Sequence, residues 1–101
     1  MDFEVIWSEP ALEEFEAIIN HLAENSPGSA EKIRVEILDH VEVLSRFPWI
    51  GPEYRPDATG RSREILCRRF RVFYRVDEEG GHVEILTIWH GSRDEPGHLT
   101  T

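Results

Sequence analysis

Hydrophobic and polar positions alternate with a period of two on both sides of a short acidic turn in the last third of the chain. Apolar residues occupy every second position through 70–76 and again through 83–89, where threonine stands at position 87, and the turn between them reads Asp-Glu-Glu-Gly-Gly. This pattern predicts a β-hairpin. Both faces of the hairpin carry large apolar groups, so we expect it to be central in its sheet and covered by the first half of the chain.

The first half of the chain predicts one short strand followed by two helices. Residues 3–7 alternate as in a strand. Ser8, followed by Glu and Pro, is a typical N-cap and begins a helix that runs to about residue 24. Ser26 and Pro27 begin a second helix in the same way, and Phe47-Pro48 ends it, because a residue before proline leaves the helical region.

The remaining segments complete a predicted α+β fold. Residues 47–62 contain three prolines and two glycines and predict a long loop, residues 63–68 predict a strand, and residues 95–101 predict a frayed tail. The order β-α-α-β-β-β predicts a single domain over residues 1–101, in which a helical hairpin packs on an antiparallel sheet.

The charges divide the 101-residue chain into an acidic half and a basic segment. The net charge is −9; residues 1–54 hold 12 acidic and 3 basic side chains, whereas residues 55–76 hold 7 arginines and 2 acids. The overall acidity argues against general nucleic-acid binding. One cysteine excludes a disulfide framework and a cysteine zinc site. We expect no metal, no cofactor, no membrane span and a cytoplasmic location.

The arginine-rich strand is the main candidate site. Arg71 and Arg75 share a strand face, which is either ordinary solvated surface or a platform for an acidic partner or RNA phosphates. Trp49, in the long loop, is a candidate contact residue. His90 either closes the hydrophobic layer or acts in catalysis.

Cleavage of RNA by its own 2′-hydroxyl would need a base, a cation for the phosphate and an acid for the leaving oxygen. Arg71, Arg93 and either His90 or His98 could supply the cation and the acid. No base is evident from the spacing.

Four segments together resemble the RelE/ParE toxin superfamily, and ParE-like toxins most. They are the Phe47-Pro48-x-x-Gly51 junction, the Arg63-Glu64-Ile65 strand, the strand from Arg71 to Val76, and Ile88-Trp89-His90-Gly91-x-Arg93. The likeness runs from Phe3 to about Asp94. It implies the toxin of a bacterial type II toxin–antitoxin pair, which a cognate antitoxin neutralises and which contacts DNA only through that antitoxin.

The resemblance leaves two activities open. RelE-like members cut mRNA on the ribosome, and Arg71 and Arg93 match their two arginines, but Glu64 and Leu66 stand where such ribonucleases tend to carry lysines. ParE-like members instead bind and inhibit DNA gyrase and have no established catalytic residues. We expect the ParE-like activity, with the ribonuclease and a non-toxic binding remnant as alternatives. The expected antitoxin-binding residues are Arg63, Arg68, Arg71, Arg75 and Trp49, and we expect the C-terminal segment of the antitoxin to meet this basic segment or the groove beside the helical hairpin.

Overall fold

Serine side chains begin both helices of the structure, a computed structural model that describes residues 2–90. Strand β1 (Glu4–Trp7) leads into helix α1 (Glu9–Asn25), where Ser8 Oγ accepts a hydrogen bond from the N–H of Ala11 at 3.2 Å. Ser26 joins α1 to helix α2 (Pro27–Glu42): its N–H donates to the carbonyl of Leu22, and its Oγ accepts from the N–H of Ser29 at 3.4 Å. One residue therefore caps both helices, which forces them into an antiparallel hairpin.

Helix α2 ends earlier than the proline predicts. The α-helix stops at Glu42, and a 3₁₀ turn over Val43–Ser45 follows. The tighter turn buries Leu44 completely in the core, and such turns are common at the ends of α-helices. The proline at position 48 lies beyond this turn and so does not itself set the end of α2.

Strands β2 (Ser62–Cys67), β3 (Phe70–Asp77) and β4 (His82–His90) follow the helices. The order in the sheet is β1-β4-β3-β2, and β2, β3 and β4 pair antiparallel as predicted. Strand β1 differs from that expectation, because it pairs parallel with β4 and makes the sheet mixed. A helical hairpin and two strands separate β1 from β4, so no tight turn constrains the two to run in opposite directions.

The predicted α+β fold is confirmed, with the helical hairpin on one face of the sheet. The core between the two layers contains Phe15 of α1 and Ile37 of α2. The sheet contributes Val72 and Tyr74 of β3 and Ile85 of β4, all fully buried. Each large apolar side chain buried here contributes about 1.5–3 kcal/mol of transfer free energy. None of the helices in the described part of the chain is long and apolar enough to span a membrane.

The segment between the 3₁₀ turn and β2 covers the opposite face of the sheet, which we call the outer face. Tyr54 is buried, and its ring meets that of Phe73 edge-on at a centroid distance of 4.8 Å. The Gly51 N–H donates to the Tyr74 hydroxyl at 2.9 Å. Backbone hydrogen bonds join Glu64 N–H to the Pro52 carbonyl and Tyr54 N–H to the Ser62 carbonyl. The loop is thus attached along the edge of β2.

Replacing Gly51 with alanine should destabilise the domain. A Cβ at this position would overlap the Glu64 carbonyl oxygen and lie 2.8 Å from the Tyr74 hydroxyl. We expect a loss of about 1–3 kcal/mol in the free energy of unfolding, as for other overpacked sites. Gly28→Ala is the matched control, since no atom lies within 4 Å of a Cβ there. It should leave the free energy of unfolding unchanged or raise it slightly, because Gly28 lies in the first turn of α2. Chemical denaturation of both variants gives the comparison, and equal stabilities would contradict the packing at Gly51.

Candidate partner-binding surface

Arg71 lies on the outer face, where it is paired with a carboxylate of the neighbouring strand. Its Nε and Nη2 lie 3.0 and 2.9 Å from Glu64 Oε2. The guanidinium carbon also lies 5.1 Å from the ring centre of Phe73 and 5.9 Å from that of Tyr54. Only 18% of the side chain is exposed. The Arg71 guanidinium is therefore held close to two aromatic rings and its charge is already balanced.

Arg75 shares the outer face with Arg71 and is also paired with a carboxylate. It stands directly opposite Glu84 in the register of β3 and β4, and the two side chains form an ion pair. Arg75 is much more exposed than Arg71. The common face predicted for the two arginines exists, but it carries alternating charges instead of a continuous positive field.

Arg63 and Trp49 form a unit at the β2 edge of the sheet. Arg63 Nη1 donates to the Gly51 carbonyl at 2.6 Å and lies 3.4 Å from the Trp49 carbonyl. Its guanidinium carbon lies 5.1 Å from the centre of the Trp49 ring. The ring remains half-exposed, at 49%. Arg63 thus holds the loop by its carbonyl groups and packs against the Trp49 ring. The exposed part of the indole remains available to a partner.

Arg68 lies apart from the other arginines of the candidate site, in the turn between β2 and β3. It has a φ of +57° and an ion pair with Glu36 of α2, whose Oε1 lies 2.7 Å from Arg68 Nη2. The hydrogen bond from Arg68 lowers the pKa of Glu36. This pair joins the turn to the helical layer, on the opposite side of the sheet from Arg71.

Next to that turn, a groove of about 1010 Å³ runs between the helical hairpin and the end of the sheet; we call it the hairpin groove. Its floor is mostly apolar and its rim carries arginines and histidines. The lining residues are Glu14, Ala17, Ile18, His21, Leu22, Ile33, Arg68, Arg69, Phe70, Ile88, Trp89 and His90. Arg69 makes no ion pair within residues 2–90, so its charge is available to a ligand.

The candidate catalytic residues do not come together in the described part of the chain. His90 pairs with Phe70, and its ring meets the Phe70 ring edge-on at 5.6 Å, on the helical side of the sheet. Arg71 follows Phe70 directly and so points to the other face. Arg93 and His98 lie outside the described residues. No group of three or more acidic, histidine or cysteine residues suited to a metal ion occurs between residues 2 and 90.

Two features of the surface were missed by the sequence analysis. Glu14 of α1 accepts hydrogen bonds from the Thr87 hydroxyl at 2.6 Å and from the Ile88 N–H at 3.2 Å, and so satisfies the edge of β4 beyond the end of β1. The second feature is the set of residues that line the hairpin groove, since the sequence indicated only a groove somewhere beside the helices. The helical spacing of α1 places Glu14 near His21 and Ile18, but nothing in that spacing indicates a carboxylate bound to a strand edge.

Comparison of the sequence with models of protein families shows which family this chain belongs to. Residues 5–95 match the model described as the ParE toxin of the type II toxin–antitoxin system parDE. The chain is a member of the ParE toxin family. It is therefore a type II toxin of the RelE/ParE superfamily, as its resemblance to that superfamily predicts. No curated protein matches the chain with significant similarity.

Solved structures of related systems share the fold of this ParE family member. A chain of the chromosomal ParDE toxin–antitoxin system of P. aeruginosa is 26% identical, with a TM-score of 0.72 over 87% of this chain and 95% of that one. A chain of the RelBE2 toxin–antitoxin complex of Mycobacterium tuberculosis is 21% identical, with a TM-score of 0.68 over 89% and 99%. A mutant of the E. coli toxin RelE in the free state is 18% identical, with a TM-score of 0.62 over 91% and 86%. These neighbours include both ParE and RelE chains, so the fold alone does not distinguish the two activities.

The loop that presents Trp49 should lose stability in acid. Asp57 accepts hydrogen bonds from Ser62 N–H at 2.9 Å and from Thr59 N–H and Oγ1 at 3.0 and 2.8 Å. These bonds, those from Ser62 first, lower the pKa of Asp57 from 3.8 to about 2. Because the folded-state pKa is depressed, this contribution to stability is fully present above 3.8 and is lost as the pH falls through about 2.

Thermal unfolding over that pH range checks the role of Asp57. The difference in melting temperature between the wild-type chain and Asp57→Ala should shrink as the pH falls. Asp39→Ala, on the exposed side of α2, is the control, and its difference should be smaller than that of Asp57→Ala above pH 3.8. A difference for Asp57→Ala that does not change with pH would contradict the hydrogen bonds to the carboxylate.

Proposed function

We propose that this ParE family member acts in the cytoplasm by binding and inhibiting DNA gyrase, with no chemistry of its own, and that a cognate antitoxin neutralises it. The observation that carries the proposal is the pairing of Arg71 with Glu64. A carboxylate occupies the strand position where the ribonucleases of the superfamily tend to carry a lysine, and it balances the one candidate phosphate-binding arginine that the structure describes.

The position of His90 also supports binding over catalysis. An acid and a phosphate-binding cation must converge on the same scissile bond. His90 and Arg71 instead point to opposite faces of the sheet. The 26% identity with the ParDE chain of P. aeruginosa, over nearly all of both chains, agrees with a ParE-like activity.

We place the antitoxin in the hairpin groove. Its apolar floor fits one face of an amphipathic helix, the usual way a helix binds a groove. Arg69 at the rim, with no ion pair inside the described chain, fits an acidic side chain of that helix, and Arg68 lies beside it. Of the antitoxin-binding residues expected from the sequence, only Arg68 lines this groove. A separate surface around the β2 edge and the outer face contains the other four, Arg63, Arg71, Arg75 and Trp49. An extended segment that follows the antitoxin helix would have to reach that surface.

Gyrase and ribosome assays run side by side distinguish the two activities. The purified chain should inhibit supercoiling by gyrase and leave mRNA intact on translating ribosomes. Arg71→Ala should change gyrase inhibition by no more than about fivefold, since the Arg71 side chain is mostly covered and we expect it to contribute less than about 1 kcal/mol to binding. Position-specific mRNA cleavage that disappears in Arg71→Ala would establish the ribonuclease in place of the proposed activity. Normal growth of cells that express this chain without an antitoxin would favour the alternative of a non-toxic binding remnant.

Binding of the antitoxin should depend on Arg69. The test partner is the C-terminal half of the cognate antitoxin, which we expect a small neighbouring gene to encode, titrated calorimetrically into the chain. Arg69→Glu should weaken binding at least tenfold, because it replaces attraction by repulsion at the groove rim, and the effect should diminish at high salt. Arg55→Glu, an equal charge reversal in the exposed part of the long loop, should have little effect. Equal losses of affinity in the two variants would show that only the net charge of the chain matters and would contradict binding of the antitoxin in the groove.

A further inference from the structure

The turn between β2 and β3 contains an arginine in a backbone conformation that favours glycine. Arg68 has a φ of +57° and is the only non-glycine residue with a positive φ in residues 2–90. It is the first of the two residues that join Cys67 to Phe70, a position where a hairpin turn with a positive φ prefers glycine. A side chain there costs conformational free energy that glycine does not. An arginine at this position is therefore explained by what its side chain binds.

The side chain of Arg68 binds one carboxylate, and this contact lies at the surface. Its Nε and Nη2 donate to the two oxygens of Glu36, with 2.7 Å between Nη2 and Oε1. The side chains of Arg68 and Glu36 are 46% and 31% exposed. Such exposed ion pairs contribute little to stability, because water solvates and screens both charges. The pair thus does not fully offset the cost of the turn, and a partner has access to both of its members.

Arg68 faces the hairpin groove, whereas the carboxylate that it binds does not. Arg68 and Arg69 both line that groove, and Glu36 is not among the described lining residues. Glu14 is the one acidic residue of this lining, and it already accepts two hydrogen bonds from β4. The rim therefore carries two adjacent guanidinium groups, and no carboxylate within the described groove binds either of them.

A second cation lies beside Glu36 on α2. Lys32 precedes Glu36 by one helical turn, a spacing at which side chains interact, and it forms no ion pair within residues 2–90. The hydrogen bond from Arg68 is the main cause of the lowered pKa of Glu36, and the charge of Lys32 lowers it further. A Glu36 carboxylate that leaves Arg68 therefore keeps a cation within reach and stays in contact with water.

We infer that Glu36 occupies Arg68 in the free toxin and that an acidic side chain of the antitoxin replaces Glu36 when the two proteins bind. Arg68 and Arg69 then each bind a carboxylate of the antitoxin at the rim of the hairpin groove. The pair with Glu36 shows the ligand that Arg68 accepts, a carboxylate held by two parallel hydrogen bonds. The inference rests on the proposed position of the antitoxin, and it adds a residue that selects an acidic partner.

Arg71 does not exchange its carboxylate in this way, although it is also paired. Only 18% of its side chain is exposed, and its guanidinium carbon lies within 6 Å of the centres of two aromatic rings. An incoming carboxylate would have to displace Glu64 and also disrupt the contacts with the rings. Exposure therefore distinguishes the exchangeable ion pair of Arg68 from the fixed ion pair of Arg71.

Calorimetric titration of the full chain with the full-length cognate antitoxin tests the exchange. Glu36→Gln should tighten binding by about threefold to fivefold, because it removes the internal competitor for Arg68, and an exposed ion pair allows a change of that size. Arg68→Gly should weaken binding at least fivefold. Its thermal unfolding should occur at the same or a higher temperature, because glycine adopts the positive φ without strain.

The ion pair between Glu31 and Arg34 supplies the matched control. It has the same geometry of two hydrogen bonds and lies on the same helix, and neither residue lines the hairpin groove. Glu31→Gln should leave the affinity within about twofold of the wild-type value. Equal gains in Glu31→Gln and Glu36→Gln would show an effect of net charge alone. A Glu36→Gln variant that binds more weakly would show that the pair only supports the turn, and either result would overturn the inference.

The double variant of Glu36→Gln with Arg68→Gly separates competition from repulsion. Without Arg68 there is no guanidinium for Glu36 to occupy, so the double variant should bind like Arg68→Gly. A gain from Glu36→Gln that persists in the absence of Arg68 would mean that Glu36 repels the antitoxin directly, and this would contradict the exchange.

Carbon-13 NMR of the side-chain carboxyl groups checks the exchange in the wild-type chain. The hydrogen bond from Arg68 lowers the pKa of Glu36, so the loss of this bond in the complex should raise that pKa toward its ordinary value. The pKa of Glu31, which the hydrogen bond from Arg34 lowers, should stay the same on binding. A pKa of Glu36 that is equally low in the free chain and in the complex would show that Arg68 keeps its internal partner.

Arg69→Glu distinguishes a failure of this inference from a failure of the proposed groove. If Arg69→Glu leaves the affinity for the antitoxin unchanged, the proposed position of the antitoxin is wrong and the exchange fails with it. If Arg69→Glu weakens binding but Glu36→Gln does not tighten it, only the exchange is wrong. Gyrase inhibition by the free chain is a separate measurement, and the proposal about it stands in either case.

Discussion

The burial of β3 on both of its faces is the constraint on which the rest of the structure depends. Val72 and Tyr74 pack against the helical hairpin, whereas Phe73 between them packs against Tyr54 on the outer face. A strand with large apolar groups on both sides needs a cover on each side. The helices provide one cover and the loop before β2 provides the other, so the loop is a structural layer as much as a connection.

The same arrangement explains why an arginine-rich segment in an acidic protein does not produce a basic surface. Except for Arg69, the arginines of β2, of β3 and of the turn between them lie within reach of carboxylates on the long loop, on neighbouring strands or on α2, and the resulting ion pairs balance their charges. A guanidinium that is paired and stacked on aromatic rings is a poor ligand for phosphate, because a phosphate must first displace its carboxylate. For this reason we propose that recognition uses the apolar surfaces and the few charges that have no partner inside the described chain.

Those apolar surfaces lie on both sides of the short turn between β2 and β3. On one side the hairpin groove offers an apolar floor with Arg69 at its rim, and on the other a smaller groove contains the exposed side chains of Leu66, Ile50 and Val43. The proposed function requires contacts with both an antitoxin and DNA gyrase, and separate surfaces would allow the chain to keep one contact while it forms the other. The hairpin of helices and the covered sheet hold both surfaces in fixed positions.

The sequence by itself determined the elements and their type, because local rules control them. The serine caps, the helical spacing of the apolar residues and the two-residue alternation of β3 and β4 each depend on neighbours within a few positions, and the structure agrees with them. The family resemblance followed from the order of those elements together with short motifs, and the family model confirms it.

Only the tertiary structure decided the rest. The parallel direction of β1, the attachment of the loop to the sheet, and the ion pair of Arg68 with Glu36 all join residues that are distant in the chain. The basic segment looked like a charged platform because its balancing acids lie elsewhere in the sequence, Glu36 on α2 and Glu84 on β4. The net charge of a segment is a sum over its residues and takes no account of where they lie. The surface potential depends on the distances between charges, which are fixed only when the chain has folded.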